Sequence, residues 1–177
     1  MIETTDREPK PWQDQLFELL KGSDIRQVAY VPDAGHSRLI ARCKADPDIL
    51  DVVLTTEEEG VALAAGHWLG GGRSALAMQS SGVGNCINML SLTATLRAPL
   101  LCLVTMRGEW GEFNPWQVPM GRATPAVLEA LGLAVHRVEL ADEVRETVDA
   151  AAKLAFGGHQ AVAVLLSQRL LGTKAFK

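Results

Sequence analysis

The segment TTEEEG, residues 55–60, places three consecutive carboxylates between an apolar run and a run of small residues. Carboxylates in the first turn of a helix are stabilised by free backbone N–H groups and by the helix dipole, which explains Glu57, Glu58 and Glu59 without any chemistry. The run VALAAG that follows has little side-chain bulk, so its helix can approach another backbone closely and cover one of the acids. A covered carboxyl group facing a ring nitrogen could exchange a proton with it.

Polar or glycine-rich residues follow three further apolar runs, in the segments VPDAGH, QSSGVGN and RGEWGEFNPWQ. In an open parallel sheet, ligands bind beyond the carboxyl ends of the strands, so all four segments are expected at one edge. QSSGVGNCIN offers hydroxyl groups, backbone amides and two asparagines, a possible cradle for an anion or a polar ligand. Its spacing matches neither common phosphate-binding fingerprint, and a tight strand-to-helix connection explains it equally well.

The elements that must position these residues alternate between apolar runs and helix-period segments, which is typical of an α/β protein. We predict one domain over residues 1–177, with an open, mostly parallel, six-stranded sheet and helices on both faces. GNCINMLSLTATL, residues 84–96, is predicted as one helix. RGEWGEFNPWQVPMG, residues 107–121, is predicted as a long loop, and a loop of this length is usually functional or disordered. The next helix is expected to start with Thr124 as N-cap and Pro125 at its first position, and to end before Gly132.

Composition excludes several classes of protein. Hydrophobic residues make up 47% and charged residues 21% of the 177 residues, with a net charge of -4 and no basic run, so neither a nucleic acid nor an anionic membrane is an expected partner. No apolar stretch reaches ~18 residues and the amino terminus has no signal core, so we expect a cytoplasmic protein. The three cysteines lie in apolar surroundings and are expected to be buried free thiols, and the four histidines have no metal-ligand spacing.

Three segments together, TEEEGVALAAGHWLGG, AMQSSGVGNCINML and RGEWGEFNPWQVPMGRAT, resemble the pyrimidine-binding domain of thiamine diphosphate enzymes. Within these, the sequence is most similar to the sulfopyruvate and phosphonopyruvate decarboxylases, and YVPDAGHSRLI and AVAVLLSQR extend the likeness over nearly the whole chain. The family has a glutamate nine residues before a helix glycine. Counting back from Gly66 gives Glu57, so the resemblance assigns the catalytic role to the first of the three acids.

The resemblance implies that the Glu57 carboxyl group hydrogen-bonds the aminopyrimidine ring of thiamine diphosphate and favours the imino form that removes the thiazolium proton. The chain would then be the alpha subunit of a 2-oxo acid decarboxylase that releases carbon dioxide and an aldehyde. The expected cofactor-binding residues are Glu57, Pro32, Ser81, Gly82 and Asn85.

The resemblance also places a small anionic 2-oxo acid substrate beside Asp33, His36, Gln79, Ser80, Arg107 and Gln117. The planar guanidinium of Arg107 suits a sulfonate, phosphonate or carboxylate group, and a surface ion pair with Glu109 is the alternative. Related proteins often have a histidine after the loop glutamine. Here Gln117 is followed by Val118, so no histidine is expected to act at that position.

One family feature is missing, because the sequence contains no GDG motif for the diphosphate and its Mg²⁺. We therefore expect a partner chain, a beta subunit with a GDG motif, to hold the metal and to complete the site, and the resemblance implies self-association through the pyrimidine-binding domain. Two alternatives remain open. The chain could act on another 2-oxo acid or in carboligation, or it could be a binding or regulatory domain without activity.

Overall fold

The computed structural model describes residues 10–172 of the chain. The six predicted apolar runs form six strands, and every neighbouring pair of strands is parallel, in the order β2-β1-β3-β4-β6-β5. The prediction of an open parallel sheet is therefore confirmed. The strands are β1 (Ile25–Tyr30), β2 (Leu50–Val53), β3 (Arg73–Gln79), β4 (Leu100–Thr105), β5 (Ala134–Val138) and β6 (Ala161–Leu166).

Helices cover both faces of the sheet, as predicted. The helices are α1 (Trp12–Gly22), α2 (Ser37–Ala45), α3 (Glu57–Leu69), α4 (Ser80–Cys86), α5 (Ser91–Leu96), α6 (Val118–Ala130), α7 (Glu143–Gly158) and α8 (Gln168–Leu171). Helices α1, α2 and α7 pack on one face, and α3 to α6 pack on the other. Short 3₁₀ turns precede α2 and α6.

The strands alternate between two hydrophobic cores because successive side chains point to opposite faces of a sheet. In β4, Leu101 and Leu103 belong to the core beneath α1, α2 and α7, whereas Cys102 and Val104 belong to the core beneath α3 to α6. All six residues of β4 are buried, which explains why its sequence is a continuous apolar run.

The direction of strand progression reverses beside β1. The chain passes from β1 outward to β2 at the sheet edge, and then returns to place β3 on the other side of β1. Such a reversal leaves a crevice beyond the carboxyl ends of the two strands that flank it, here β1 and β3, because their connections leave in opposite directions. The polar segments that follow β1, β2, β3 and β4 all lie at this edge.

Two helix predictions were wrong. The single helix predicted over residues 84–96 is two helices, α4 and α5, with a turn between Ile87 and Leu90, and α4 begins at Ser80, directly after β3. The predicted fifteen-residue loop is also shorter, because α6 begins at Val118 rather than after Thr124.

Thr124 is not an N-cap. It lies inside α6 with its side chain fully buried, and its hydroxyl donates to the carbonyl oxygen of Met120 at 2.8 Å. Pro125 is likewise in the helix interior, whereas Pro119 occupies the first turn, where a missing N–H costs nothing. The early start is allowed by Gly121, because a side chain there would collide with the carbonyl oxygen of Arg107.

The end of α6 follows the prediction, since Gly132 comes just after it with a φ of 85°. The three cysteines are free and buried, as predicted, and burial raises the pKa of the Cys43 and Cys86 thiols to about 12. Over residues 10–172, no helix is long and apolar enough to span a membrane.

Candidate active site

The structure distinguishes the three acids at the start of α3. Glu57 is 8% exposed, while Glu58 and Glu59 lie on the exposed side of the helix. Glu59 has a helix-start role, because its Oε2 accepts the backbone N–H of Thr55 at 2.9 Å. Burial therefore selects the same residue that the resemblance selected.

Two glycines bring the Glu57 carboxyl group under cover. Helix α3 sits close to the sheet at Gly60, where a Cβ atom would collide with Leu76. Helix α4 crosses the carboxyl group at Gly82, where a Cβ atom would collide with Oε1 of Glu57. Asn85, one turn later in α4, donates from Nδ2 to Oε2 of Glu57 at 2.7 Å. The carboxyl group thus has a fixed orientation, with an amide on one oxygen.

Glu57 faces a small open cleft of about 140 Å³ beyond the carboxyl ends of β1 and β3. This is the crevice that the reversal of strand order creates. Its lining combines the segments that follow three different strands, namely Val31, Pro32 and Asp33 after β1, Glu57 after β2, and Gln79 and Ser81 at the end of β3.

Asp33 is held at the centre of this edge by three hydrogen bonds. Its Oδ2 accepts the hydroxyl of Thr105 at 2.7 Å and the backbone N–H of Gly35 at 3.0 Å, and its Oδ1 accepts Nε2 of Gln79 at 2.9 Å. Burial acts to raise the pKa of Asp33, but the hydrogen bonds from Thr105 and Gln79 outweigh it and the pKa is lowered. Asp33 is therefore a charged acceptor. The other amide atom of Gln79, Oε1, accepts the Ser81 hydroxyl at 2.9 Å.

Arg107 does not pair with Glu109, so that alternative is wrong. Arg107 is 9% exposed and pairs with Glu112, with Nε to Oε2 at 2.6 Å and Nη2 to Oε1 at 2.5 Å, while Glu109 pairs with Arg137. The bidentate contact with Arg107 holds the pKa of Glu112 well below its usual range. Glu112 rather than Glu109 pairs with Arg107 because the chain turns back at Gly111, which has a φ of 59°, and brings Glu112 to the guanidinium.

A second, narrower cavity of about 80 Å³ adjoins the first and shares Asp33 with it. Its lining includes Gly35, Thr105, Arg107 and Gln168. Gln168 is 4% exposed and accepts the backbone N–H groups of Glu109 and Trp110 on Oε1, so it ties the long loop to the end of β6.

Three of the expected substrate residues lie away from both cavities. Ser80 is fully buried and accepts the backbone N–H of Arg107 at 3.1 Å. His36 is 1% exposed, its Nε2 contacts the carbonyl oxygen of Leu103 at 3.0 Å, and burial lowers its pKa, which favours the neutral ring. Oε1 of Gln117 is buried without a partner among residues 10–172. The structure therefore brings together Pro32, Asp33, Glu57, Gln79, Ser81, Gly82 and Asn85, with Arg107 in the neighbouring cavity.

Sequence reasoning missed three residues at this edge: Thr105, Glu112 and Gln168. Thr105 had a usable signal, since it is the last residue of an otherwise apolar strand. Gln168 also had a signal, because it follows β6 at the same edge where the segments after β1 to β4 lie. Glu112 had no signal, because Glu109 is two residues from Arg107 in the sequence and Glu112 is five, so proximity along the chain favoured the wrong glutamate.

The residues at this edge carry polar groups suited to an organic ligand. No group of three or more metal-ligating side chains occurs in the part of the chain that the structure describes. The cleft instead offers one oriented carboxyl group, amides and hydroxyl groups, a set that can hold and exchange protons with a nitrogen heterocycle.

Solved structures with the same fold include several enzymes. The benzoylformate decarboxylase from Polynucleobacter necessarius matches 96% of this chain with a TM-score of 0.72 at 15% identity. A putative thiamin diphosphate-dependent enzyme from Mycobacterium smegmatis matches 96% with a TM-score of 0.69 at 17% identity. The chain spans about a third of each, 32% and 34%. The all-parallel sheet of this chain is thus a fold shared with these enzymes.

Sequence relatives are more specific. Sulfopyruvate decarboxylase subunit alpha from Methanothermobacter thermautotrophicus is 37% identical over 154 residues, which are 86% of this chain and 93% of the relative. The subunit alpha from Methanococcus maripaludis is 32% identical over 92% of its length. The phosphonopyruvate decarboxylase from Streptomyces viridochromogenes is 40% identical over 112 residues, 62% of this chain and 28% of that protein. No protein-family model matches the chain.

The chain belongs to the family of sulfopyruvate decarboxylase alpha subunits. The resemblance read from its motifs is therefore confirmed.

Proposed function

We propose that the chain is the pyrimidine-binding subunit of a thiamine diphosphate-dependent 2-oxo acid decarboxylase that acts on sulfopyruvate or phosphonopyruvate. Its relatives carry the names of these two decarboxylases. The proposal rests on the buried carboxyl group of Glu57, which Gly82 covers and Asn85 orients. This group faces the cleft beyond β1 and β3, where the strand order reverses.

The cleft fits part of the cofactor. Its volume of about 140 Å³ has room for a single heterocyclic ring rather than for a whole diphosphate-bearing molecule. Within it, Glu57 would hold a hydrogen bond to a ring nitrogen and move a proton at that atom, while Asn85 keeps the other carboxylate oxygen fixed. Pro32 and Ser81 would line the ring. When bound, thiamine diphosphate supplies the electron sink for loss of carbon dioxide.

The neighbouring cavity is where the anionic end of the substrate would bind. Arg107 supplies positive charge there, and Thr105 and Gln168 supply polar groups. Asp33 lies between the two cavities and is held by groups from both sides, by Gln79 from the first and by Thr105 from the second. We infer that Asp33 fixes the distance between the reacting carbon and the anion site.

The remaining half of the site would come from a partner. The relatives are named as alpha subunits, which supports a second subunit here. We propose a beta subunit with a GDG motif that holds the diphosphate and Mg²⁺ and closes the cleft, together with self-association through this pyrimidine-binding domain. Residues 1–177 would then form one domain of a site built from two chains. A cytoplasmic location stays a prediction from the sequence.

Reconstitution tests this proposal. The chain is co-purified with the product of a GDG-containing gene, supplied with thiamine diphosphate and Mg²⁺, and assayed for carbon dioxide release from a panel of 2-oxo acids. We expect release from sulfopyruvate or phosphonopyruvate and from neither chain alone. A complex that binds the cofactor but decarboxylates neither acid would contradict the proposal, and a product joined to a second carbonyl compound would show carboligation instead.

A further inference from the structure

Glu112 occupies one of the two edges with which the Arg107 guanidinium can bind an anion through paired N–H groups. Its oxygens accept Nε at 2.6 Å and Nη2 at 2.5 Å. The same carboxylate also accepts the backbone N–H groups of Gly108 and Asn114 and the Nε2 atom of Gln168. These five hydrogen bonds fix the guanidinium before any substrate arrives, because it cannot turn without breaking the set.

The third nitrogen, Nη1, has no hydrogen-bond acceptor within residues 10–172. Arg107 lines the cavity of about 80 Å³, so the N–H groups that Glu112 leaves free, two on Nη1 and one on Nη2, are the side-chain donors that it can offer a bound anion there. An arginine usually binds an oxyanion with two parallel N–H groups on separate nitrogens. Here the fork of Nε and Nη2 is already filled by Glu112, and the opposite edge, formed by Nη1 and the second N–H of Nη2, remains.

Among residues 10–172, the charges around the cavity are nearly balanced, with an excess of negative charge. The charged and titratable groups that these residues place on the surrounding elements are Asp33, His36, Arg107, Glu109, Glu112, Arg137 and Arg169. Glu109 and Arg137 pair with each other, Arg169 is exposed beside Trp110, and burial favours neutral His36. Asp33, Arg107 and Glu112 remain, with one net negative charge.

We propose that Glu112 is a positioning residue that presents the free Nη1/Nη2 edge of Arg107 to the substrate and makes the cavity select singly charged over doubly charged end groups. The inference rests on the proposed function. A sulfonate carries one negative charge at any working pH, whereas a phosphonate loses its second proton near neutral pH. A second charge would be repelled by Asp33 and Glu112 with only one partly neutralised cation to offset it. The cavity thus favours the sulfonate.

The test compares two substitutions that separate charge from reach. Glu112→Gln keeps the size of the side chain and removes its charge, while Glu112→Asp keeps the charge and shortens the reach. The reconstituted complex is assayed at pH 8 for kcat and KM with sulfopyruvate and with phosphonopyruvate. Calorimetry of the unreactive analogues 3-sulfopropanoate and 3-phosphonopropanoate gives the same comparison without turnover. Glu109→Gln, which alters the neighbouring ion pair of the same loop, is the matched control.

We expect the wild type to prefer the sulfonate in both measurements. Glu112→Gln should reduce that preference about tenfold, through KM and Kd rather than kcat. Glu112→Asp should raise KM for both acids and keep their ratio, and Glu109→Gln should keep the ratio as well. If Glu112→Gln prevents assembly, the Glu112→Asp complex still decides, because a lost preference there would contradict a role for the charge.

Two results would overturn the inference: an unchanged ratio in Glu112→Gln, or an equal change in Glu109→Gln. The failure of the proposed function looks different. In that case the wild-type complex decarboxylates neither acid, and the calorimetric preference between the two analogues still decides whether Glu112 selects by charge.

Discussion

Replacing Glu57 by glutamine removes the ability of this side chain to exchange a proton with the cofactor and changes little else. Glutamine has the same size as glutamate, so it fits beside Gly82. Its carbonyl oxygen can still accept a hydrogen bond from Nδ2 of Asn85, which lies 2.7 Å from Oε2 of Glu57 in the wild type. The fold and the covering of the cleft should therefore persist. What is lost is a proton-transfer partner, and such a loss reduces turnover by roughly 100-fold or more, equivalent to about 2.7 kcal/mol in the activation barrier.

The assay is carbon dioxide release by the reconstituted complex with saturating cofactor and Mg²⁺. Glu58→Gln and Glu59→Gln serve as matched controls, because they change the same residue type in the same helical turn at exposed positions. Glu59→Gln also keeps an oxygen for the N–H of Thr55. Both controls should stay within a few-fold of the wild type. Equal losses at all three positions would refute the assignment, since they would point to the charge of the helix start.

Further predictions concern the packing around the carboxyl group and the long loop. Gly82→Ala should displace the Glu57 carboxyl group and lower kcat with little change in melting temperature, whereas Gly84→Ala, in the same helix, meets only the flexible end of a methionine and should stay near wild type. Gly121→Ala should lower the free energy of unfolding in urea by about 1 to 3 kcal/mol, because its Cβ would collide with a backbone carbonyl. Because the ion pair with Arg107 lowers the pKa of Glu112 in the folded state, this pair stabilises the fold at pH values above the ordinary glutamate pKa of about 4.3. The contribution is lost as the pH falls from that value through the lower pKa of the folded state. The melting temperature of Glu112→Gln should therefore lie below that of the wild type at pH 7 and approach it below about pH 4; a difference that grows in acid would contradict this ion pair.

The sheet was predictable because its strands are continuous apolar runs that end at polar residues, as Gln79 and Thr105 do. The start of α6 was not, because Pro119 and Pro125 are both acceptable in the first turn of a helix. Only the contact of Gly121 with the backbone of Arg107 decides between them. The sequence does not show that contact, because it forms only when the chain has folded.

In the site, too, some features follow from the sequence and others depend on tertiary contacts. Spacing within a family resemblance selected Glu57, and local physics alone did not, because first-turn acids are common. The burial that separates it from Glu58 depends on α4 crossing at Gly82, 25 residues later in the chain. The partner of Arg107 was beyond prediction for a similar reason, since a glycine turn at 111 determines which glutamate reaches it.

We propose that Glu57 activates the cofactor in a site that a second chain completes. The most direct measurement is the rate at which the C2 proton of thiamine diphosphate exchanges with deuterium, followed by NMR after acid quenching. It compares the wild-type complex, the Glu57→Gln complex and this chain alone. We expect rapid exchange in the wild-type complex, exchange slower by about 100-fold or more in Glu57→Gln, and no acceleration by the isolated chain. Equally rapid exchange in the Glu57→Gln complex, or acceleration by this chain alone, would contradict this proposal.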